Sequence, residues 1–374
     1  MIPWRTRYSP IGLDIGRDQI KLVQLKGVGP TCAVHEAVVA PLGSTAQDEP
    51  VDDDQTAIVG ALRSALERAN VVGKTAISTL PCPEVDIRTL LVPYFADSEE
   101  QQEFLQERVA SYLAYPFEEA VIETIELGEE GDADDRHRRL LVVAAQRQCV
   151  DRRLQIIEDA GLRCRALEVL PLSVSRLLLW RQRISTAEPL MVVDIGGHTS
   201  TAFVLWQGVL TYSRNLMWGS DGLTQGLQKE LGLSPERAER LKRQHGINMQ
   251  TTGWPTVDRE HRRVDMGAMA GVVYEIVRPQ LTGLIEELER ILSYWGAQFH
   301  EVRIDRMQIC GGGAMLRQLD RFLHQRLGIE VTLAQPVLTG PRQDVEAGSV
   351  GVTTLSPALT PALGLALRGQ PPHG

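Results

Sequence analysis

The chain lacks several features that would have narrowed its function at once. No run of Lys and Arg is long enough to mark a nucleic-acid-binding face, and the 374 residues carry a net charge of −9, so nucleic acid is not an expected partner. No CxxC pair occurs among the five cysteines, Cys32, Cys82, Cys149, Cys164 and Cys310. An odd, scattered set argues for reduced thiols in the cytoplasm and against a disulfide framework or a zinc site. No stretch reaches the roughly 18–20 apolar residues of a membrane span. The polar opening Met1–Ser9 has no apolar central region of a signal peptide. Leu365–Gly374 is too short and too proline-rich for an amphipathic anchor. Membrane association is therefore expected only through a partner.

What is present points to an α/β protein with real cores. Hydrophobic residues make up 43% of the chain, and the length suits two domains or four smaller lobes. Two strand–turn–strand segments stand out, Gly12-Leu13-Asp14-Ile15-Gly16 and Val193-Asp194-Ile195-Gly196-Gly197. Each closes an apolar strand with Asp and Gly and continues into a second β-type run, Ile20–Leu25 and Thr201–Trp206. Asp14 and Asp194 are 180 positions apart, as if one structural unit occurred twice. Two glycine-tipped hairpins facing each other can hold a phosphate chain. Glycine admits backbone N–H groups to the oxygens, and each Asp can hold Mg²⁺ directly or through water. Asp-Gly is also ordinary turn chemistry, but two copies in matching contexts carry more weight than one.

Between and after these segments the pattern alternates. A strand is expected over Cys32–Ala40, an acidic loop over Gly43–Asp54, a helix over Thr56–Ala69 and a strand over Lys74–Leu80. A strand at Val85–Val92, a helix at Ser98–Tyr112 capped by Ser98, and strands at Val121–Glu126 and Arg139–Gln146 flank a charged loop, Gly128–Arg138. A helix at Cys149–Ala160 ends at Gly161, and a strand follows at Arg163–Val169. This β-α-β-β-α-β order describes an inserted lobe at about 84–169. A helix at Pro171–Arg183 leads to a three-strand meander at Leu190–Arg214. Helices are expected at Gly222–Glu230 and Ser234–Gln244, the second capped by Ser234 with Pro235 in its first turn. Gly246–Val264 is polar and irregular. Asp265–Phe299 is a long helical region that Pro279 should kink or interrupt. Arg306–Cys310 is a strand running into Gly311-Gly312-Gly313 and a helix at Leu316–Leu327. Pro336–Pro361 reads as a long loop, and Ala362–Arg368 as a closing helix.

These parts together resemble the actin-like ATPase superfamily and, within it, the PilM family of type IV pilus assembly proteins. The stretches that carry the likeness are GLDIGRDQIKLVQL at 12–25, YLAYPFEEAV at 112–121, VVAAQRQCV at 142–150 and VVDIGGHTSTAFVLWQG at 192–208. CGGGAMLRQLDRFLHQRLGIEV at 310–331 and ALGLALRG at 362–369 complete them. Tyr115-Pro116-Phe117 and the terminal ALGLALRG are the parts that point to PilM. The resemblance implies an actin-like, ribonuclease H-like two-domain ATPase fold with an inserted lobe placed as in the division protein FtsA. The first domain would take residues 1–83 and 170–188, the lobe 84–169, and the second domain 189–374 with a helical subdomain at about 222–304. It also implies a cytoplasmic protein that binds ATP and Mg²⁺ between its halves. Such a protein captures the N-terminal cytoplasmic peptide of PilN in a groove beside the lobe. Through PilN it would meet PilO, and it would communicate with the pilus motor ATPases.

On this reading Asp14 and Gly16 form the first phosphate loop. The family usually places small hydroxyl residues next; here Arg17 and Asp18 follow, and Arg17 either pairs with a γ-phosphate or points into solvent. Lys21 either reaches a phosphate or sits on a solvated face. Asp194, Gly196, Gly197 and Thr199 form the second loop, with Asp14 and Asp194 as the Mg²⁺ ligands. Glu239 and Lys242, three apart on one helix face, either bracket the ribose or make a surface salt bridge. Gly311, Gly312 and Gly313 suit close approach to adenosine and the α-phosphate, helped by the helix they open, or form a tight turn. Tyr115 and Phe117 fit hydrophobic packing in the lobe, or a wall of the peptide groove. No dedicated catalytic base is evident beyond Asp14 and Asp194, so slow turnover or none is expected. Rival readings are a small-molecule kinase of the same superfamily and an FtsA-like division protein. The related GspL family continues into a transmembrane helix.

Overall fold

The computed structural model describes residues 7–29, 32–42, 51–81, 84–95, 97–131, 136–180, 187–249, 266–299, 302–341 and 350–370. The expected loops at Gly43–Asp54, Gly128–Arg138 and Gly246–Val264 lie wholly or partly outside these residues. The first half opens with β1 (Ile11–Ile15), β2 (Gln19–Lys26), β3 (Ala33–Pro41), α1 (Val51–Arg68) and β4 (Thr75–Thr79). Then come β5 (Val85–Pro93), α2 (Ser98–Ala110), β6 (Ala120–Glu130), β7 (His137–Gln146), α3 (Arg147–Asp159), β8 (Arg163–Glu168) and α4 (Leu170–Leu179). The second half contains β9 (Leu190–Ile195), β10 (Ser200–Trp206), β11 (Val209–Leu216), α5 (Asp221–Leu231), α6 (Pro235–His245), α7 (Met266–Gln298) and β12 (Arg306–Cys310). It ends with α8 (Leu319–Leu327), β13 (Glu330–Leu333), β14 (Val337–Pro341), β15 (Val350–Thr354) and α9 (Thr360–Ala366).

The repeat suspected from the two Asp-Gly turns holds for whole sheets. The first runs in the order β3-β2-β1-β4-β8 and the second β11-β10-β9-β12-β13. In each, an antiparallel meander is extended by two parallel strands. The strands that carry Asp14 and Asp194 sit at the centre and are buried along their whole length, as strands covered on both faces should be. Sequence elements α5, α6 and α7 cover the second sheet, whose core includes Leu223, Ala238, Leu281 and Trp295.

Five expectations need correction. The lobe is smaller than 84–169: its sheet is β5-β7-β6, whereas β8 pairs with β4 in the first sheet, and Ile156 and Ile157 of α3 lie in that sheet's core. A β-α-β-β-α-β string does not say which sheet its last strand joins; the parallel edge of β4 decided it. Helix α2 is capped by Asp97, whose carboxylate accepts from the Glu99 amide, not by Ser98. Helix α7 runs through Pro279 without interruption. Beside it the Gln280 backbone carbonyl accepts from Trp218 Nε1 at 2.7 Å. The expected loop over Pro336–Pro361 contains the β14–β15 hairpin. Finally α9, expected with the second half, packs on β1 and α4 of the first. Two glycines permit this: a Cβ at Gly12 would collide with the Ala362 carbonyl, and one at Gly364 with that of Ser173.

Candidate functional site

The two hairpin turns meet between the sheets. Asp14 and Lys21 are direct cross-strand partners of β1 and β2, and Lys21 Nζ lies 2.8 Å from Asp14 Oδ2 with both side chains nearly enclosed. Burial works against the Lys21 ammonium, but Asp14, with Asp194 and Asp18 adding, outweighs it and raises its pKa. The charge of Asp194, on the second sheet, acts on this pair. Asp194 is 8% exposed, and burial pushes its carboxyl up to about 6 against the pull of Lys21. Its Oδ2 accepts from Cys310 Sγ at 3.4 Å. Burial and the Asp194 carboxylate push the Cys310 thiol well above its ordinary range, so that thiol stays protonated and donating.

The second loop is built by close backbone packing. A Cβ on Gly196 would lie 2.5 Å from Thr199 O, and one on Gly197 would strike the carboxylates of Asp18 and Asp221. Asp18 thus reaches from the first hairpin to the second. The amides of Ser220 and Asp221 donate to the Gly196 and Gly197 carbonyls at 3.0 and 2.8 Å. Burial, then the nearby Asp18, raises the Asp221 carboxyl. Arg17 and His198 are exposed and Thr199 is half-buried.

The Glu239–Lys242 pair is not a surface salt bridge. Lys242 is 5% exposed; its Nζ lies 2.7 Å from Glu239 Oε2 and donates to Ser220 O at 3.1 Å. Glu239 also accepts from Thr224 Oγ1 and Arg243 Nε, each at 2.7 Å. Burial works upward on Glu239, but Lys242 and these hydrogen bonds hold its carboxyl at about 2. The pair therefore ties α6 to the loop that backs Gly196 and Gly197.

The three glycines do not open a helix. A 3-10 turn at Gly313–Met315 intervenes, and α8 starts at Leu319 after Gln318 at φ +64°, so no helix N-terminus points at this loop. Gly311 has φ +87°, and a Cβ there would lie 2.5 Å from Ile195 O. Gly311 and Gly313 seat the loop on the end of β9, while the space beside Gly312 is open.

A phosphate chain fits this setting and a waiting metal ion does not. The glycine-lined turns leave backbone within reach of a ligand. Asp14 Oδ2, however, is bonded to Lys21, and among the described residues no group of three His, Cys, Asp or Glu side chains can hold a metal. Sequence reasoning missed Asp18, Asp221 and Cys310 here. Their signal was weak, because each joins the site only through contacts between distant segments.

At the junction of lobe and first half lies a second set of polar groups. Phe117 and Leu113 pack in the lobe core with Phe104 and Val142, as does Tyr112. The hydroxyls of Tyr112 and Tyr115 and Nη1 of Arg153 are buried with no hydrogen-bond partner. Burial pushes the Tyr115 hydroxyl up to about 12, with Asp86, Cys149 and Tyr112 adding. Arg153, on α3, is 7% exposed. A separate recess of about 690 Å³ runs between β5, β11 and the end of α7, with Leu91, Arg214 and Tyr294 in its wall.

A family model described as type IV pilus assembly protein PilM matches residues 12–252, more than half of the chain. One for the cell division protein FtsA matches residues 191–355. Among curated proteins, the cell shape-determining protein MreB of Escherichia coli strain K12 is 28% identical over 169 residues, covering 42% of this chain and 49% of MreB. The chain thus spans about half the length of the curated relatives it matches. Among solved structures, a PilM–PilN type IV pilus biogenesis complex is similar at a TM-score of 0.77 and 23% identity, covering 97% of this chain and 99% of that one. The ethanolamine utilization protein EutJ from Carboxydothermus hydrogenoformans is similar at a TM-score of 0.53 and 18% identity, covering 98% and 92%. At these identities the two structures speak to the fold alone, and that fold is the actin-like one.

Proposed function

The chain belongs to the PilM family of type IV pilus assembly proteins, and from that premise we propose that it is a cytoplasmic scaffold of the pilus inner-membrane platform that binds ATP between its two halves. The observation that carries this reading is the approach of the two hairpins, Asp18 of the first reaching Gly197 of the second, with the enclosed Lys21–Asp14 pair on the first. Lys21 would contact the phosphates, and the amides of Gly196 and Gly197 would line them; that of Gly16 is taken by Gln19 O at 3.0 Å. Gly312 would face the adenosine, with Glu239 and Lys242 behind the ribose. A divalent ion would arrive with the phosphates, since Mg²⁺ is commonly held by one or two carboxylates plus phosphate oxygens. Asp194, with its carboxyl near neutrality, is the better of the two candidate bases. Turnover is expected to be slow, with ATP acting mainly as a conformational ligand whose preference for the closed cleft sets the geometry of the halves.

The partner reading rests on the unmet donors at the lobe junction. An extended segment offers a row of carbonyl oxygens, and the hydroxyls of Tyr112 and Tyr115 and Nη1 of Arg153 have no acceptor; such donors are costly to keep buried. We therefore place the N-terminal peptide of PilN at that junction. PilO and the motor ATPases would be reached through the resulting complex. Among the described residues no helix is long and apolar enough to cross a membrane, in keeping with attachment through PilN.

Titration of a fluorescent PilN N-terminal peptide into the full chain tests the partner reading. Tyr115→Phe and Arg153→Met are each expected to weaken it by about tenfold, the loss of one good polar contact. Unchanged affinity in both, with loss in Arg214→Glu, would move the peptide to the recess between β5 and β11. No binding by the native chain would remove PilN altogether.

A further inference from the structure

Two sheets of this molecule end side by side without joining. Strand β5 is the edge of the lobe sheet, and β11 is the edge of the second sheet. Two hydrogen bonds span them: Asn215 Nδ2 donates to Val85 O at 3.1 Å, and Thr89 Oγ1 donates to Thr211 O at 3.0 Å. From the first bond to the second is four residues forward in β5 and four back in β11. The strands are therefore antiparallel and in register, yet side chains make both bonds. Among the described residues β5 pairs with β7 and β11 with β10, and no pairing joins β5 to β11. Thr211 supplies a reason. It is the extra residue of a bulge, because Val204 pairs with Tyr212 and Leu205 with Leu210, and a bulge turns a strand aside. A shared core holds Ile87, Leu141 and Val143 of the lobe against Phe203, Leu205 and Leu210 of the second half. The recess of about 690 Å³ is bounded by the same two strands, which leaves them room to shift.

We propose that this seam is a latch with two positions: the side-chain-bridged one seen here, and a paired one that joins the lobe sheet and the second sheet into one. Unpaired edges carry rows of N–H and C=O groups that favour pairing, and packed interfaces shift between discrete arrangements. In the paired position backbone amides take over the Val85 and Thr211 carbonyls, and the register sets Ile87 opposite Ser213 and Leu91 opposite Val209. Pairing draws the lobe onto the second half and narrows the recess. The lobe is inserted in the chain of the first half, so the latch decides which half it moves with.

Paired cysteines in the full chain test this. Leu91→Cys with Val209→Cys puts one thiol on each strand at opposite positions of the paired register. Paired strands hold such Cα atoms about 4.5–5.5 Å apart, within the span of a disulfide. Oxidation should give the 91–209 cross-link, identified by peptide mass spectrometry. Its yield should exceed by about tenfold that of Leu91→Cys with Ser213→Cys, which lies about 13 Å out of register along the strand. Amide exchange at Ile87 and Thr89, whose peptide groups face the seam as that of Val85 does, should then slow by about tenfold or more, and reduction should restore it. Should the first pair fail to fold, Thr89→Cys with Thr211→Cys, in the same register, takes its place, with exchange read at Ile87. No cross-link in the in-register pair, equal yields in both pairs, or a cross-link without slower exchange overturns the proposal.

Discussion

Gly311 holds a left-handed backbone, φ +87°, with Ile195 O only 2.5 Å from where a Cβ would sit. The three-glycine run was legible in the sequence, but its use was not: two of the three glycines serve packing against β9 more than access for a ligand. Gly311→Ala is expected to cost about 3 kcal/mol in urea unfolding, combining backbone strain with collision; Gly312→Ala, in open space, should cost much less. Titration supplies a second residue-scale prediction. Asp194 has its carboxyl raised from 3.8 to about 6, so between those values the folded state binds more protons than the unfolded, and stability falls as pH rises through that window. Glu239 works oppositely: held at about 2 against 4.5, it contributes stability above about pH 4.5 that is lost as pH falls toward 2. Asp194→Asn should therefore remove the decline between about pH 4 and 6 and leave the acid-side loss intact. A variant that keeps the decline would show that another group carries it.

At the scale of elements, hairpins and amphipathic helices were readable because their periods are local, and the strands bearing Asp14 and Asp194 fell where alternation and turn chemistry put them. What was not readable depended on choice of neighbour. Nothing in the residues of β8 distinguishes the edge of β4 from the lobe sheet, and nothing local in α9 announces that Gly12 and Gly364 leave room for it against β1 and α4. Pro279 misled for a different reason: proline removes one donor and strains one turn, and a helix of 33 residues absorbs that loss without ending. Pro279→Ala is expected to raise stability by about 1–3 kcal/mol, read as a higher urea midpoint with unchanged slope. A loss of stability would mean that the local geometry imposed by proline is required by the packing of Trp218.

For the whole molecule, the duplicated sheet order puts each copy's Asp-Gly turn at the same place, on the central strand, and Asp18 of the first turn reaches Gly197 of the second. The repeat was legible from two short segments. The closing contacts were not, since Asp18 reaching Gly197 and Cys310 donating to Asp194 join residues far apart in the chain. The claim that both hairpins grip one phosphate chain is tested most directly by amide hydrogen exchange on the full chain with and without ATP. Peptides covering 12–26 and 190–206 should slow together, at the same ATP concentration. Exchange that leaves both hairpins unchanged at saturating ATP, or that slows only one of them, would contradict a nucleotide held between the two halves.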